Sequence, residues 1–218
     1  STAKGYHKLS SNSSDTLVFD IIGEYQLPSG EYRGLASGVD DEFDIPSLSI
    51  SGVNYPFDGY LDYGLMELKY IRDVSNPVYT NNALGLHLDG KDMTITNGVF
   101  EGNGYATVPS GYNYTYDQTI LSGYTIEIDN LKYVRNKAPL ILKSKTGSVY
   151  ATITGSTFSE NTDTALGSRY GYQGSYDVII ADTAFTKNLR GFYLGEGVKS
   201  VTMSGGEITD NYLNKTSE

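Results

Sequence analysis

Three carboxylates in the C-terminal half, Asp163, Asp177 and Asp182, are the side chains whose type most readily suggests chemistry. Two carboxyls facing each other across about 5 to 9.5 Å can hydrolyse a glycosidic bond, one as acid and the other as base or nucleophile. Asp163 closes the polar run Asn161-Thr162-Asp163, a place where aspartate commonly bonds its own backbone, so a plain turn competes with a catalytic role. The densest acidic run, Asp40-Asp41-Glu42 with Asp44, encloses Phe43 and lacks the ligand spacing of a calcium loop, so a solvated turn is expected there. His87 alternates with Leu86 and Leu88, which predicts an outward-facing strand residue, and the other histidine, His7, lies far upstream. Cysteine is absent, which removes thiol catalysis, thiolate metal sites and disulfides together. These residues predict no catalytic group, no metal and no cofactor.

Aromatic side chains suggest contact more than reaction. Tyr112, Tyr114 and Tyr116 lie in one Asn- and Thr-containing run, and Tyr170, Tyr172 and Tyr176 in another that is rich in Gly, Gln and Ser. Tyrosine among such small polar residues offers a large, rigid, amphipathic face at small entropic cost, the chemistry of antibody-like contact surfaces, and its ring can stack on a sugar. These six tyrosines are the expected binding residues. The competing reading is that both loops lie down over apolar side chains.

The elements that would hold these residues are read from a repeat. An aromatic or aliphatic residue followed three positions later by asparagine recurs at Phe100/Asn103, Tyr133/Asn136, Phe158/Asn161, Phe185/Asn188 and Ile208/Asn211. Short β-rich runs precede each copy: Thr94-Ile95-Thr96, Thr125-Ile126-Glu127, Thr152-Ile153-Thr154, Ile179-Ile180-Ala181 and Thr202-Met203-Ser204. Self-similarity of this kind marks a stacked repeat architecture, and the lack of a 3.6-residue apolar pattern excludes helical repeats. The expected fold is all-β, a right-handed parallel β-helix whose coils lie ~4.8 Å apart. Its aromatic residues would point inward and pile on one another, and its asparagines would form an amide ladder at the corner.

Residues 1 to 83 do not align with the repeat and are expected to form an irregular N-terminal cap, because an open first coil would expose both an edge and a core. Leu65 to Ile71 reads equally as a strand or one short helix. Residues 84 to 218 are expected to hold the coils. No closing helix or charged strand follows Asn211, so a longer stack cut at its C-terminal end is expected.

The chain has 218 residues and a formal charge of −10, with Lys143-Ser144-Lys145 its most basic run, so nucleic acid is not an expected partner. No apolar run approaches the ~20 residues that span a bilayer as a helix, and no membrane insertion by this segment is expected. Twenty tyrosines, 25 glycines and no tryptophan lean toward a secreted binding surface.

The Phe-x-x-Asn steps and Gly205-Gly206-Glu207-Ile208 resemble the Phe-x-x-Asn and Gly-Gly-Ala-Ile repeats of bacterial autotransporter adhesins, including the polymorphic outer-membrane proteins, over residues 84 to 211. More broadly they resemble pectin-lyase-type β-helices. Glu207 departs from the family's small apolar residue, Ile208 and Tyr133 stand in place of Phe, and the second repeat has two extra residues before Tyr133. The resemblance implies a passenger segment exported to the bacterial surface or the extracellular space, binding a host surface protein, a glycan or another copy of itself. Asn161-Thr162-Asp163 also resembles the Asn-Thr-Asp start of polygalacturonase-type glycosidases, but the following residues offer Asp182, Lys187 and Arg190 singly where those enzymes carry an Asp pair, Gly-His-Gly and Arg-x-Lys. A polysaccharide-active glycosidase or lyase is therefore the runner-up to a non-enzymatic adhesin. A structural stalk or tailspike segment is the third reading.

Overall fold

The structure is a computed structural model that describes residues 43–45, 48–51, 66–69, 71–82, 85–104, 118–144, 147–168, 174–195 and 197–212, together with the strands Tyr6–Lys8 and Thr16–Phe19. Among the described residues there is no helix, and the strands fall into three sheets of nine, six and seven. Each repeat gives one strand to each sheet in the same order. One repeat runs through Leu140–Ser144, Gly147–Thr154 and Thr157–Ser159, and the next through Thr164–Ser168, Gly174–Ala181 and Ala184–Thr186. Pairing between successive repeats is parallel throughout, and the exceptions are Tyr6–Lys8 on Thr16–Phe19 and Thr16–Phe19 on Leu48–Ser51, which are antiparallel.

The three sheets differ in how they meet solvent. In the nine-stranded sheet, here the ladder sheet, the strands from Val78–Thr80 to Ala184–Thr186 each bury only their middle residue, as in Thr157–Ser159 with Phe158 fully buried. In the seven-stranded wall sheet, Thr125–Asp129 and Gly147–Thr154 alternate buried and accessible positions, the pattern of a sheet with one wet face. In the middle of the six-stranded sheet both faces are covered: all of Thr119–Gly123 is buried, as are both Leu140 and Ile141. His87 belongs to this sheet and is 5% exposed, with Nε2 2.7 Å from Ser122 Oγ. It does not face solvent as the alternation with leucines predicts, because periodicity tells which side of a sheet a residue takes and not whether that side is covered.

Register corrects the alignment of the second repeat. Thr125 pairs with Asp92 and Ile128 with Ile95, so Ile128-Asp129 takes the place that the sequence alignment gave to Ile126-Glu127. The two extra residues before Tyr133 vanish once the strand is shifted by two. A shift of two keeps every side chain on its own face, which is why the apolar pattern alone did not resolve it.

Parallel stacking also starts upstream of residue 84. Phe43–Ile45 pairs with Ile71–Ser75, Leu48–Ser51 with Val78–Thr80, and Met66–Lys69 with Leu86–Asp89. Met66–Lys69 is a strand, which decides between the two readings of that segment. A sixth aromatic-to-asparagine step, Tyr79/Asn82, lies within the residues expected to form an irregular cap, and Tyr79 pairs with Phe100. At the first stacked strands, Arg72 Nε donates to Asp44 Oδ1 at 2.8 Å and a second nitrogen reaches Asp44 Oδ2.

One core cluster runs through all three sheets. It includes Leu88, Leu121, Leu142 and Leu166 from the six-stranded sheet, Ile95, Ile128, Ile153 and Ile180 from the wall, and Tyr79, Phe100, Tyr133, Phe158 and Phe185 from the ladder sheet. The rings form a continuous pile with centroids 5.9, 6.3, 5.8 and 4.9 Å apart, and the Phe158–Phe185 pair is stacked at 11°. Each pair adds roughly 0.5 to 1.5 kcal/mol beyond its area burial.

Removing a ring from the middle of this pile leaves a cavity that backbone paired on both sides cannot close. Phe158→Ala is expected to destabilise the chain by about 3 to 5 kcal/mol in denaturant unfolding, and Phe158→Leu by markedly less. The Arg72 guanidinium holds the Asp44 carboxyl below the usual carboxylate range, chiefly by its hydrogen bond and against a smaller opposing effect of burial. A depressed folded-state pKa contributes stability above the unfolded value that is lost as pH falls through the folded one. NMR titration should place the Asp44 midpoint below 3.8 and return it toward that value in Arg72→Ala, with a stability change under about 1 kcal/mol for so exposed a pair.

Candidate functional site

The asparagines of the repeat build a buried file of amides along one corner. Asn82, Asn103, Asn136, Asn161 and Asn188 are each no more than 2% exposed. Every step repeats the same three bonds. The backbone N–H of Asn136 donates to Asn161 Oδ1 at 2.9 Å, and its Nδ2 approaches the same oxygen at 3.4 Å. Asn161 Nδ2 returns a bond to the carbonyl of Tyr133 in the preceding repeat at 3.0 Å. The pattern holds from Asn82 through Asn103 and on to Asn188 and Asn211. Only a carboxamide supplies both acceptor and donors in that space, which explains why the position is asparagine in every described copy.

On either side of the ladder strands the chain turns through a left-handed residue, joined at the last described repeat by a second, Gly206. One corner stacks Asn76, Asn97, Asn130, Gly155, Asp182 and Gly205, the other Asn81, Gly102, Arg135, Glu160, Lys187 and Asp210, all with φ between 48° and 67°. Except at Gly205 and Asp210 in the last described repeat, the N–H of each bonds a carbonyl of the next repeat, as Glu160 N to Thr186 O at 3.1 Å. Glycine is required sterically at 206, where φ is 68° and a Cβ would come 2.1 Å from the Thr183 carbonyl oxygen. From Arg135 to Asp210 the second corner alternates cation and anion, and Arg135 bonds Glu101 while lying 3.7 Å from Glu160. Left-handed backbone costs an L-residue roughly 1 to 2 kcal/mol, so these charged residues are held there by the stacking on both sides.

The carboxylates that sequence singled out occupy three different parts of the repeat. Asp163 precedes Thr164–Ser168 and accepts the Thr164 N–H at 2.7 Å, a turn-capping bond. Asp177 lies on the outer face of the wall sheet and accepts the Ser200 hydroxyl at 2.6 Å. Asp182 forms the left-handed corner between wall and ladder. Asn161, from the same tripeptide as Asp163, is consumed by the amide file. Among the described residues no group of three or more His, Asp or Glu gathers in a way that could hold a metal ion. Asp40, Asp41 and Glu42 lie outside the described residues.

Of the six expected binding tyrosines, Tyr112, Tyr114, Tyr116, Tyr170 and Tyr172 also lie outside the described residues. Tyr176 is not a surface residue: it is fully buried in the core, with its hydroxyl 3.5 Å from the Ser144 N–H. It sits in the strand Gly174–Ala181 at an inward position beside Val149, so the polar residues before it end in a strand and not in a loop.

What the surface does offer is the outer face of the wall sheet. In register across five strands it carries the rows Asp92, Thr125, Tyr150, Asp177, Ser200; Thr94, Glu127, Thr152, Ile179, Thr202; and Thr96, Asp129, Thr154, Ala181, Ser204. These rows contain carboxylates and no cation. Tyr150 is 57% exposed and Ile179 51%, and Tyr124, just before the strand Thr125–Asp129, is 38% exposed. Tyr150 was within reach of sequence reasoning as an accessible position of an alternating strand, but the search for tyrosine clusters passed over a single one. Comparison with protein-family models, with curated proteins and with solved structures finds no match for this chain.

Asn161→Ala removes the acceptor for Asn136 and the donor to Tyr133 from a buried site. It is expected to cost about 3 to 5 kcal/mol by denaturant unfolding. Asn161→Asp keeps the acceptor but puts a charge beside Asn188 Oδ1, which raises the carboxyl's folded-state pKa. Its deficit should therefore shrink as pH is lowered toward 4, where a protonated acid regains one donor.

Proposed function

We propose that this chain is a right-handed parallel β-helix and serves as a passenger segment of a surface-exported adhesin, recognising a host surface protein, a glycan or another copy of itself by contact along its side. The observation that carries the proposal is the outer wall, whose in-register rows hold hydroxyls and carboxylates without a cation and from which Tyr150 and Ile179 stand exposed. Interior aromatic and amide side chains are spent on stacking, so recognition falls to the faces that meet solvent. Parallel register over successive repeats keeps the wall's side chains at fixed spacing, and a rigid, pre-arranged surface loses little freedom on binding. The Phe-x-x-Asn repeats add the resemblance to autotransporter adhesins.

Tyr150 would supply the flat ring for a sugar or an apolar side chain, with Thr125, Thr152 and Asp177 around it as hydrogen-bonding groups. The sign of the face favours neutral or basic partners over polyanions. On this reading the chain works outside the cell, carries no cofactor and performs no catalysis. The polysaccharide-active alternative would need Asp163, Asp177 and Asp182 to cooperate, and their places in the repeat do not favour that.

The test is binding of the purified chain to epithelial cell surfaces and to a glycan array. Tyr150→Ala is expected to weaken binding about fivefold or more with unchanged unfolding, while Thr209→Ala on the ladder sheet leaves it unaltered. Binding indifferent to Tyr150, or cleavage of an acidic polysaccharide abolished by Asp163→Asn, would remove this reading.

A further inference from the structure

Carboxylates on this stack fall into two kinds. At the first described repeats, Arg72 of the wall grips Asp44 through two nitrogens and lies 3.5 Å from Asp73. On the second corner Glu101 is likewise met by Arg135 of the next repeat. Asp92, Glu127, Asp129 and Asp177 differ, because their rows on the wall hold no cation. Asp129 accepts the Thr154 hydroxyl at 2.7 Å and Asp177 the Ser200 hydroxyl at 2.6 Å. Lys91, before Asp92, and Lys199, in the bulge beside Ser200, lie outside the rows. The middle of the wall therefore carries a negative field that its own residues do not neutralise.

Register gives that field a spacing. Asp92, Thr125, Tyr150 and Asp177 succeed one another across four adjacent strands, so the two carboxylates stand three strand spacings apart, ~14 Å. An extended polypeptide advances ~3.4 Å per residue and turns every second side chain to the same side, which sets residues i and i+4 ~13.5 Å apart with i+2 between them. Cations at i and i+4 can thus reach Asp92 and Asp177 together. The second of them also comes within reach of the exposed ring of Tyr150, the register neighbour of Asp177. Residue i+2 falls between Thr125 and Tyr150, where an apolar side chain packs on the ring. Ile179, exposed on the same strand as Asp177, suits an aliphatic side chain and not a sugar hydroxyl. A glycan of amino sugars carries a cation on every sugar, so it matches the sign of the wall but neither the spacing of its carboxylates nor Ile179.

We infer that the middle of the outer wall is a docking surface for an extended basic polypeptide segment, with arginine or lysine at i and i+4 on Asp92 and Asp177 and an apolar residue between them on Tyr150. The inference rests on the wall being the recognition face and adds the chemistry of its partner. Charge complementarity steers the encounter, and the fixed spacing of the rows selects among basic segments.

The probe is a fluorescein-labelled peptide, Ser-Arg-Thr-Leu-Thr-Arg-Ser, titrated with the full chain and read by fluorescence polarisation. Asp92→Asn and Asp177→Asn keep side-chain size and an acceptor oxygen, and each is expected to weaken binding about fivefold or more. Asp210→Asn, at the second corner, removes the same charge and leaves binding unaltered. A peptide of the same composition with adjacent arginines, Ser-Arg-Arg-Thr-Leu-Thr-Ser, should bind about fivefold or more weakly than the first. Absence of binding by the first peptide would overturn the inference. Equal binding of the two peptides, or equal losses in the three variants, would overturn it too, by showing unspecific attraction to an acidic protein. So would binding of a glucosamine oligomer in place of the peptide. Whether the wall is the recognition face is read separately, from the effect of Tyr150→Ala on cell-surface binding.

Discussion

In-register parallel pairing at one strand spacing is the constraint on which the rest of this structure depends. Once successive repeats lie directly above one another, a residue type that fits at one level must fit at every level, because each side chain's neighbours are its own counterparts. That single condition accounts for the ring pile from Tyr79 to Phe185, the amide file from Asn82 to Asn211 and the two columns of left-handed corners. It also makes a buried polar side chain acceptable. An isolated buried asparagine would leave donors unmet, whereas a file satisfies each member except where it ends.

The same constraint divides the molecule into parts that cannot vary and parts that can. From Val78–Thr80 to Ala184–Thr186 the ladder strands are three residues long, with one inward ring each. Between the six-stranded sheet and the wall the connection is free to change length, from Gly123-Tyr124-Thr125 in one repeat to the residues between Ser168 and Gly174 in another. The outer wall is likewise free in residue type, with Asp92, Tyr150, Asp177, Glu127, Ile179, Asp129 and Ala181 set among its threonines and serines. Variation concentrated on such a face is what a recognition surface built on a repetitive scaffold would use.

How far the sequence could be read followed from the strength of each local signal. Phe-x-x-Asn was legible because an aromatic ring and an amide three residues apart are both distinctive. Tyr79/Asn82 carries the same spacing, yet it went unrecognised in a segment without a clear Thr-Ile run before it, since Asp73-Val74-Ser75 fills that place. The register of Thr125–Asp129 was ambiguous by two residues, and its apolar alternation satisfies either setting. Of the expected contact residues, Tyr176 was misplaced because tyrosine suits a buried strand as well as a polar loop, and the density of tyrosines before it said nothing about where the strand begins.

By itself the sequence determined that this protein is built of β repeats, that rings and amides recur at fixed spacing, and that the whole is acidic and free of cysteine. Those properties are local or compositional, carried by a few adjacent residues. Tertiary structure alone decided which strands lie side by side, that His87 and Ile141 are covered while Tyr150 and Ile179 are not, and that Asp163, Asp177 and Asp182 stand apart. Exposure and convergence depend on residues tens of positions away, brought into contact by stacking, and alternation along one strand holds no record of what packs against its far side.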